Sequence, residues 1–171
     1  VVFRRRTILP SQKQKNAYEE ARDEYKTKLP DGSIKETKFT VESFMWTHRI
    51  SGGCDAEGNL KWKGKLDELA TLIQGELREE QVVVWCRFNS EIDHISTRLR
   101  ELDVSVNVLT GKADATSRSL RIDSFQRGKF RVFVIQEALG QFGLDLSSAD
   151  TAIYFSNAFS YEQRAQSADR I

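Results

Sequence analysis

The feature that most constrains the fold is an uninterrupted apolar run, Val82-Val83-Val84-Trp85-Cys86. A strand with one face in solvent alternates apolar and polar residues, whereas a run without alternation is typical of a strand buried on both faces. Apolar segments follow at Val104–Leu109, Phe130–Ile135 and Thr151–Phe155. Strands buried on both faces occur mainly in parallel sheets covered by helices, so these segments predict an α/β fold.

Helical segments separate the predicted strands. Before the first strand, apolar residues recur at the spacing i, i+3, i+4 and i+7 of an amphipathic helix. A helix is predicted to begin at Asn89-Ser90, where Asp93 is placed to complete a capping box with Ser90. Further helices are predicted over Thr116–Gln126 and from about Ser160. The alternation predicts a parallel sheet flanked by helices, in which ligands bind at the carboxyl ends of the strands.

The first third of the chain has a less regular pattern. Val1–Leu9 is predicted as a short strand, and Pro10-Ser11 begins a helical segment that continues to about Lys28. Pro30-Asp31-Gly32 is a turn signal. A second helix is predicted over about Lys38–Ile50, and a polar, glycine-rich connection follows it. This part therefore reads as a lead-in segment to the α/β domain.

Composition narrows the functional classes. The 171 residues suit one domain, and 26 basic against 25 acidic side chains give a net charge of +1, without the basic excess of many nucleic-acid-binding domains. No apolar run approaches the roughly 20 residues of a membrane span. A first residue other than methionine predicts a segment cut from a longer protein. Cys54 and Cys86 share no metal-type spacing with the histidines, so reduced thiols and no metal site are predicted.

The sequence contains three Gly-Lys pairs, but none belongs to a phosphate-binding loop. Gly64-Lys65, Gly111-Lys112 and Gly128-Lys129 all lack the earlier glycine and the following Ser or Thr of G-x-x-x-x-G-K-[ST]. The dinucleotide-binding pattern G-x-G-x-x-G is also absent. If this chain turns over a nucleotide, a partner must supply the phosphate loop and the Mg²⁺.

Two segments have the chemistry to contact a nucleotide, and each has a structural alternative. Gly143 and Asp145 follow the third strand, where Asp145 can accept a hydrogen bond from a ribose hydroxyl. The alternative is a glycine turn with a capping aspartate. Gln166 and Arg170 share one face of the last predicted helix, so Arg170 can reach a phosphate held by a neighbouring lobe. The alternative there is a solvated, charged helix.

Two basic segments precede the α/β pattern. Arg4-Arg5-Arg6 is predicted as a solvated or lobe-facing run, with phosphate contact as the alternative. Lys61-Trp62-Lys63 interleaves basic and aromatic residues, as some proteins that bind single strands do. The favoured interpretation of this second segment is an anchor for the loop that leads into the next helix.

Seven short motifs occur along the chain in a family-specific order. They are Lys65–Leu69, Val82–Phe88, Thr110-Gly111 with Arg118, Phe125, Gly143–Leu146, Ala149-Asp150 and Gln166–Arg170. In this order and spacing they resemble the second RecA-like lobe of Swi/Snf-type ATPases, which belong to the superfamily-2 helicases. Leu9–Gln14 is similar to the segment that leads into this lobe. The resemblance therefore spans essentially the whole chain.

The resemblance implies roles for individual motifs. Val82–Phe88 resembles helicase motif IV, whose following turn lies towards the nucleic-acid backbone. Gly143–Leu146 resembles motif V, which faces both ATP and the nucleic acid. Gln166–Arg170 resembles motif VI and makes Arg170 the first arginine finger and the predicted catalytic residue. The implied ATP-binding residues are Gly143, Asp145, Gln166 and Arg170, and the implied nucleic-acid-binding residues are Arg87, Thr110, Gly111, Lys112 and Gln136.

The sequence departs from the family pattern at two places. The family has a Gly-Gly pair before the motif V glycine, whereas this chain has Gly140-Gln141. Motif VI normally continues with His-Arg, whereas this chain stops at Ile171. The isolated chain, without the second arginine finger, is therefore predicted not to hydrolyse ATP.

The favoured hypothesis is an ATP-dependent DNA translocase or helicase-like remodeller. Residues 1–63 would join a first RecA-like lobe of the same polypeptide, which holds most of the ATP and Mg²⁺, and residues 64–171 would form the second lobe. One alternative is a catalytically inactive lobe that acts as a nucleic-acid or protein binding module. Another is an unrelated flavodoxin-like α/β enzyme. The expected location is the cytoplasm of a bacterial or phage-infected cell, or the nucleus if the source is eukaryotic.

Overall fold

The computed structural model describes residues 4–157. These residues fall into two units, one that ends at Leu69 and one that begins at Ala70. Each unit has its own cluster of buried apolar side chains. A helix, α3 (Gly64–Gln74), contains the last residues of the first unit and the first residues of the second.

The first unit consists of two helices and a short hairpin. Helix α1 (Gln12–Asp23) begins after Ser11, whose side-chain oxygen accepts a hydrogen bond from the Gln14 N–H at 3.2 Å as an N-cap. The antiparallel strands β1 (Lys26–Lys28) and β2 (Ile34–Glu36) follow, and then helix α2 (Thr40–Ser51). The buried cluster of this unit consists of Ala21, Trp46, Ile50 and Ala56.

Two predictions for the first third of the chain are wrong. Residues 4–9 form no strand, and the first helix ends at Asp23 instead of continuing to about Lys28. Tyr25 has a φ of 57°, a left-handed conformation that interrupts a helix, and the chain then enters β1. The turn prediction at Pro30-Asp31-Gly32 is confirmed, since this segment connects β1 to β2 and Gly32 has a φ of 87°.

The second unit contains a four-stranded parallel sheet, which confirms the predicted fold class. Its strands lie in the order β4-β5-β3-β6. The chain passes from the inner strand β3 to the edge strand β4, returns through β5 beside β3, and ends at β6 on the opposite edge. The neighbouring strands are parallel throughout. The elements are β3 (Val82–Cys86), α4 (Asn89–Glu101), β4 (Val106–Leu109), α5 (Ala115–Gln126), β5 (Val132–Gln136), a 3₁₀ helix (Glu137–Phe142) and β6 (Thr151–Tyr154).

Burial of the two central strands explains their uninterrupted apolar sequence. All five residues of β3 are buried, and so are the first four of β5. On one face, Phe125 of α5 contacts Phe133 of β5 and also Phe130, with ring centroids 5.3 and 5.4 Å apart. Apolar positions of both central strands therefore belong to the core, and few of them can contribute to a ligand site.

Polar contacts fasten the amino ends of the strands. Gln81 donates its backbone N–H to the Asp150 carboxylate at 2.8 Å and accepts the Asp150 N–H at 2.9 Å. The Arg131 guanidinium donates to the carbonyl of Leu77 at 2.7 Å and to that of Ile73 at 3.2 Å, at the end of α3. Asp150, which belongs to the family pattern, thus joins the starts of β3 and β6. These structural contacts occupy the amino edge of the sheet, so ligand contacts are expected at its carboxyl edge.

Candidate functional site

The turns after β3 and β6 are joined through a buried carboxylate. The Arg87 N–H donates to the Ser156 side-chain oxygen at 2.7 Å, and the Ser156 hydroxyl donates to the Glu91 carboxylate. The same carboxylate oxygen accepts the Phe88 N–H at 3.2 Å. Glu91 is 2% exposed and Ser156 is 8% exposed, so water does not compete freely for these groups. Two neighbouring turns at the carboxyl edge are thereby held together.

The predicted start of α4 at Asn89 is confirmed, but the Glu91 contact corrects the predicted capping box. Sequence reasoning assigned a capping box to Ser90 and Asp93, but the helix begins after Phe88, and Glu91 reaches back to the N–H of that residue. A phenylalanine side chain accepts no comparable hydrogen bond, so only the glutamate half of a capping box is present. A glutamate at the third position of a helix that follows a buried strand is the sequence signal that could have identified it.

The Arg87 guanidinium lies beside acidic groups at this edge. Burial lowers the pKa of Arg87, and the negative charges of Glu137 and Glu91 oppose that shift. Glu137 is only 1% exposed, and the Arg87 guanidinium carbon lies 5.4 Å from the centroid of the Phe88 ring. An arginine remains protonated at neutral pH even when burial lowers its pKa, because its ordinary pKa lies far above neutrality. The structure therefore presents Arg87 as a half-buried cation that is partly balanced by two carboxylates.

The predicted residues after β4 and β5 meet directly. The Gly111 N–H donates to the side-chain carbonyl of Gln136 at 2.9 Å. A Cβ atom at Gly111 would lie 3.4 Å from that oxygen, a close contact that glycine avoids. Thr110 is half-buried and accepts the Ala113 N–H through its carbonyl at 3.1 Å, while Lys112 is exposed. The structure thus brings Thr110, Gly111, Lys112 and Gln136 together at one edge.

The loop that follows β5 contains the predicted glycine and aspartate. Gly143 ends the 3₁₀ helix with φ 65° and ψ 38°, a left-handed conformation that favours glycine. The exposed Asp145 carboxylate accepts the Ser147 hydroxyl at 2.7 Å and the Ser147 N–H at 3.2 Å. The hydroxyl contact is the main cause that lowers the pKa of Asp145, and the N–H contact adds to it. The capping role of Asp145 is therefore confirmed, and its ribose contact stays a prediction.

This loop has features that fit a nucleotide. Apart from its two chain neighbours, no atom of residues 4–157 lies within 4 Å of the position where a Cβ at Gly143 would stand, so this part of the chain leaves the backbone there open to a ligand. Asp145 stays ionised and keeps acceptor capacity beyond the oxygen that Ser147 contacts. Gln166 and Arg170, the other predicted ATP-binding residues, lie outside the described residues. The loop after β5 can therefore contact the sugar of a nucleotide or approach it with its backbone. The sequence contains no phosphate-binding loop that would hold the phosphates.

The described residues contain neither a cluster of metal ligands nor a helix long and apolar enough to span a membrane. Within residues 4–157, no three or more His, Cys, Asp or Glu side chains cluster in a way that could hold a metal ion. Cys54 and Cys86 are both buried, and no disulfide joins them. In the same range, no helix combines the length and the apolar character that crossing a bilayer needs.

Comparison with known proteins gives a consistent family. Residues 64–171 match the model of the helicase conserved C-terminal domain. The chain is 30% identical over 117 residues to the ATP-dependent helicase FUN30 of Saccharomyces cerevisiae and 26% identical over 107 residues to the ATP-dependent helicase fft1 of Schizosaccharomyces pombe. These alignments cover 66% and 62% of this chain, and only 10% and 11% of the two relatives.

Solved structures agree with the sequence matches. The C-terminal part of the Fun30 ATPase domain superposes with a TM-score of 0.59 at 30% identity, covering 63% of this chain and 36% of that one. The Hef helicase domain of Pyrococcus furiosus superposes at 0.52 with 21% identity, covering 63% and 22%, and supports the fold alone. The chain spans about a tenth of the length of the curated relatives FUN30 and fft1. It belongs to the helicase conserved C-terminal domain family and is the C-terminal RecA-like lobe of a superfamily-2 helicase.

Proposed function

We propose that this chain is the second motor lobe of an ATP-dependent DNA translocase or helicase-like remodeller of the Swi/Snf type. The observation that carries the proposal is the convergence of three predicted nucleic-acid loops at the carboxyl edge of one parallel sheet. The loops after β4 and β5 are joined there by the Gly111–Gln136 hydrogen bond. The loop after β3 is held by Glu91 and Ser156. FUN30 and fft1, which are ATP-dependent helicases, support the reading.

The nucleic acid would be held by its backbone. Arg87 and Lys112 supply positive charge, and Thr110, Gly111 and Gln136 supply polar groups that can donate to or accept from phosphate and sugar. None of these groups needs to enter a base-reading groove, so binding would be insensitive to sequence and would weaken as salt rises. Duplex DNA is the proposed substrate, tracked without an obligatory separation of strands.

The nucleotide would be shared with a first lobe of the same polypeptide. Residues 1–63 would lead from that lobe, and residues 64–171 would form the second lobe. The first lobe would hold Mg²⁺ and most of the ATP. Gly143 and Asp145 would contact the nucleotide from this side, joined by Gln166 and Arg170. Arg170 would donate to the phosphates and neutralise the charge that develops during hydrolysis.

The test is made on the parent polypeptide that contains both lobes. We expect ATP hydrolysis that duplex DNA stimulates, and Arg170→Ala should reduce kcat by roughly a thousandfold, as loss of an arginine finger does. Arg87→Ala should instead raise the DNA concentration needed for half-maximal stimulation, with little change in kcat at saturating DNA. Such a split separates a residue that acts on ATP from one that acts on DNA.

Arg127→Ala is the matched control, because Arg127 is an exposed arginine directly after α5 whose guanidinium pairs with Asp123. It should leave both kinetic parameters close to those of the parent. A parent that binds DNA without hydrolysing ATP would overturn the motor proposal and leave the inactive binding module. Under the location proposal, imaging of the tagged parent would find it in the cytoplasm of a bacterial or phage-infected cell, or in the nucleus of a eukaryotic one.

A further inference from the structure

A basic groove lies within the first unit, outside the segments that resemble helicase motifs IV, V and VI. Its volume is about 1000 Å³, and its walls come from residues 6–11, from α1, from the end of α2 and from residues 61–65. Six basic side chains line it against one acidic side chain, Glu19. The basic residues are Arg6, Lys15, Arg22, Lys61, Lys63 and Lys65. Charge of one sign in a concave surface attracts an extended polyanion.

Two aromatic side chains also line this groove. Tyr18 and Trp62 are half-buried, and both pack against the cluster that contains Trp46 and Ile50. Their packing fixes the rings, both residues stay half-exposed in the groove, and the Arg22 guanidinium carbon lies 5.9 Å from the centroid of the Tyr18 ring. Nucleic-acid bases stack on such rings with little dependence on sequence, because every base has an aromatic face. Cations beside aromatic rings therefore match a nucleic-acid strand better than an acidic peptide.

The backbone holds the Lys61-Trp62-Lys63 segment in place. The Gly53 carbonyl accepts the N–H groups of both Lys61 and Trp62 at 2.9 Å. Gly53 has a φ of 96°, and a Cβ there would lie 2.3 Å from the Trp62 carbonyl oxygen. Next to it, the buried Asp55 carboxylate accepts the N–H groups of Glu57 and Asn59 at 3.0 and 2.9 Å. The two lysines thus project from a well-defined turn.

Four of the lining cations already have carboxylate partners. The Arg6 guanidinium lies 3.6 Å from the Glu68 carboxylate, the Lys15 ammonium 3.9 Å from that of Glu19, and the Arg22 guanidinium 2.6 Å from that of Asp23. The Lys61 ammonium lies 3.9 Å from the buried Asp55 carboxylate, at the limit of an ion pair, and the Lys61 side chain is 43% exposed. Exposed pairs such as those of Arg6 and Lys15 are weak and screened by salt, so a phosphate can compete with their carboxylates. Among the described residues, the Lys63 side chain makes no ion pair at all.

We infer that this groove is a second nucleic-acid site, which holds a single strand through its phosphates on Lys61 and Lys63 and stacks bases on Trp62 and Tyr18. The inference rests on the proposed function only in taking nucleic acid as the ligand. The groove belongs to the first unit and the carboxyl-edge site to the second, so variants can test the two sites separately.

The experiment uses the 171-residue chain and a fluorescent oligothymidylate of about 16 nucleotides, followed by anisotropy at several salt concentrations. The double variant Lys61→Ala/Lys63→Ala should raise Kd at least tenfold. It should also reduce the slope of log K against log salt by about 1.4, the value for two phosphate contacts on a single strand. Trp62→Leu should weaken binding roughly fivefold or more, and Trp62→Phe should retain most of it.

Lys28→Ala/Lys38→Ala is the matched control, because both lysines are exposed in the same unit and neither lines the groove. It should leave the salt slope nearly unchanged. Equal losses from the two lysine pairs would overturn the inference. So would binding of polyglutamate as tight as that of the oligonucleotide, which would identify an acidic-peptide site instead.

Arg87→Ala separates this inference from the proposed function. If Arg87→Ala weakens duplex binding while the groove variants bind single strands normally, the inference fails and the motor proposal stands. If the groove variants lose single-strand binding while Arg87→Ala binds duplex normally, the groove stands and the carboxyl-edge assignment fails.

Discussion

At the residue scale, the strongest constraint on the carboxyl edge is the buried contact between Ser156 and Glu91. Ser156→Ala removes the hydroxyl that donates to this carboxylate and the oxygen that accepts the Arg87 N–H. We expect the free energy of unfolding to fall by about 1–3 kcal/mol, because buried groups lose hydrogen bonds without water to replace them. Urea unfolding followed by tryptophan fluorescence measures the loss.

Ser147→Ala is the control for that prediction. Its hydroxyl also donates to a carboxylate, that of Asp145 at 2.7 Å, but both residues are exposed. Water can replace the lost donor, so the unfolding curve should barely move. Equal destabilisation by the two alanine variants would contradict the view that burial makes the Glu91 contact important.

A second prediction at this scale concerns two glycines of the first unit that have similar backbone angles. Gly53 has a φ of 96° and Gly32 a φ of 87°, but only Gly53 meets a neighbouring carbonyl where a Cβ would stand. Gly53→Ala should therefore destabilise the chain clearly more than Gly32→Ala, whose cost is backbone strain of about 1–2 kcal/mol. Thermal unfolding of both variants gives the comparison, and equal losses would refute it.

The sequence identifies the polar residues of the candidate site better than it identifies the buried glutamates that lie beneath them. The strand pattern predicts which loops lie at the carboxyl edge, and the family resemblance implies Arg87, Gly111 and Gln136 within them. The structure brings these residues to the same edge of the sheet. Glu91 and Glu137 were not predicted, since a glutamate in a helix normally faces solvent and nothing local marks these two as buried. Long-range packing decides their burial, and a single sequence does not display it.

At the element scale, prediction succeeded where apolar periodicity was long. β3 and α5 lie within one residue of their predicted bounds, because uninterrupted or helical apolar spacing marks them. The sequence pattern does not predict the hairpin β1–β2, because its strands have only three residues each and show no alternation of apolar and polar residues. Its turn was found because Pro-Asp-Gly has a local conformational preference. Short strands depend on their partners more than on their own sequence.

One contact between elements is open to a direct test. Arg131 donates to the carbonyl of Ile73 in the last turn of α3 and to that of Leu77, which follows the helix and also accepts the Glu80 N–H at 3.1 Å. Arg131→Met keeps the apolar stem and removes the donors, so we expect a loss of about 1–2 kcal/mol in unfolding free energy. Arg127→Met removes an arginine whose contact is an exposed pair with Asp123 and should have little effect. Similar losses in both variants would show that the carbonyl contacts contribute nothing specific.

At the scale of the whole molecule, the near-neutral total charge conceals an uneven distribution. Residues 1–69 contain 14 basic and 11 acidic side chains, whereas residues 70–171 contain 12 and 14. The overall charge therefore does not predict nucleic-acid binding and does not exclude it, whereas the lead-in unit has a basic surplus and contains the six cations that line the groove. The charge of each unit is a better guide here than the charge of the chain, because electrostatic attraction decays over about 10 Å in salt.

The final prediction separates a motor lobe from a self-contained nucleotide enzyme. A chain without a phosphate loop should gain no measurable thermal stability from Mg²⁺-ATP, because the proposed contacts of Gly143, Asp145, Gln166 and Arg170 hold ATP only together with the first lobe. A flavodoxin-like enzyme would instead be stabilised by its cofactor, by about 2.7 kcal/mol at one hundred times Kd. Thermal unfolding with Mg²⁺-ATP and, separately, with flavin mononucleotide decides between them. A large shift with either ligand would show that the chain contains a complete nucleotide site and would overturn its assignment as half of a two-lobe motor.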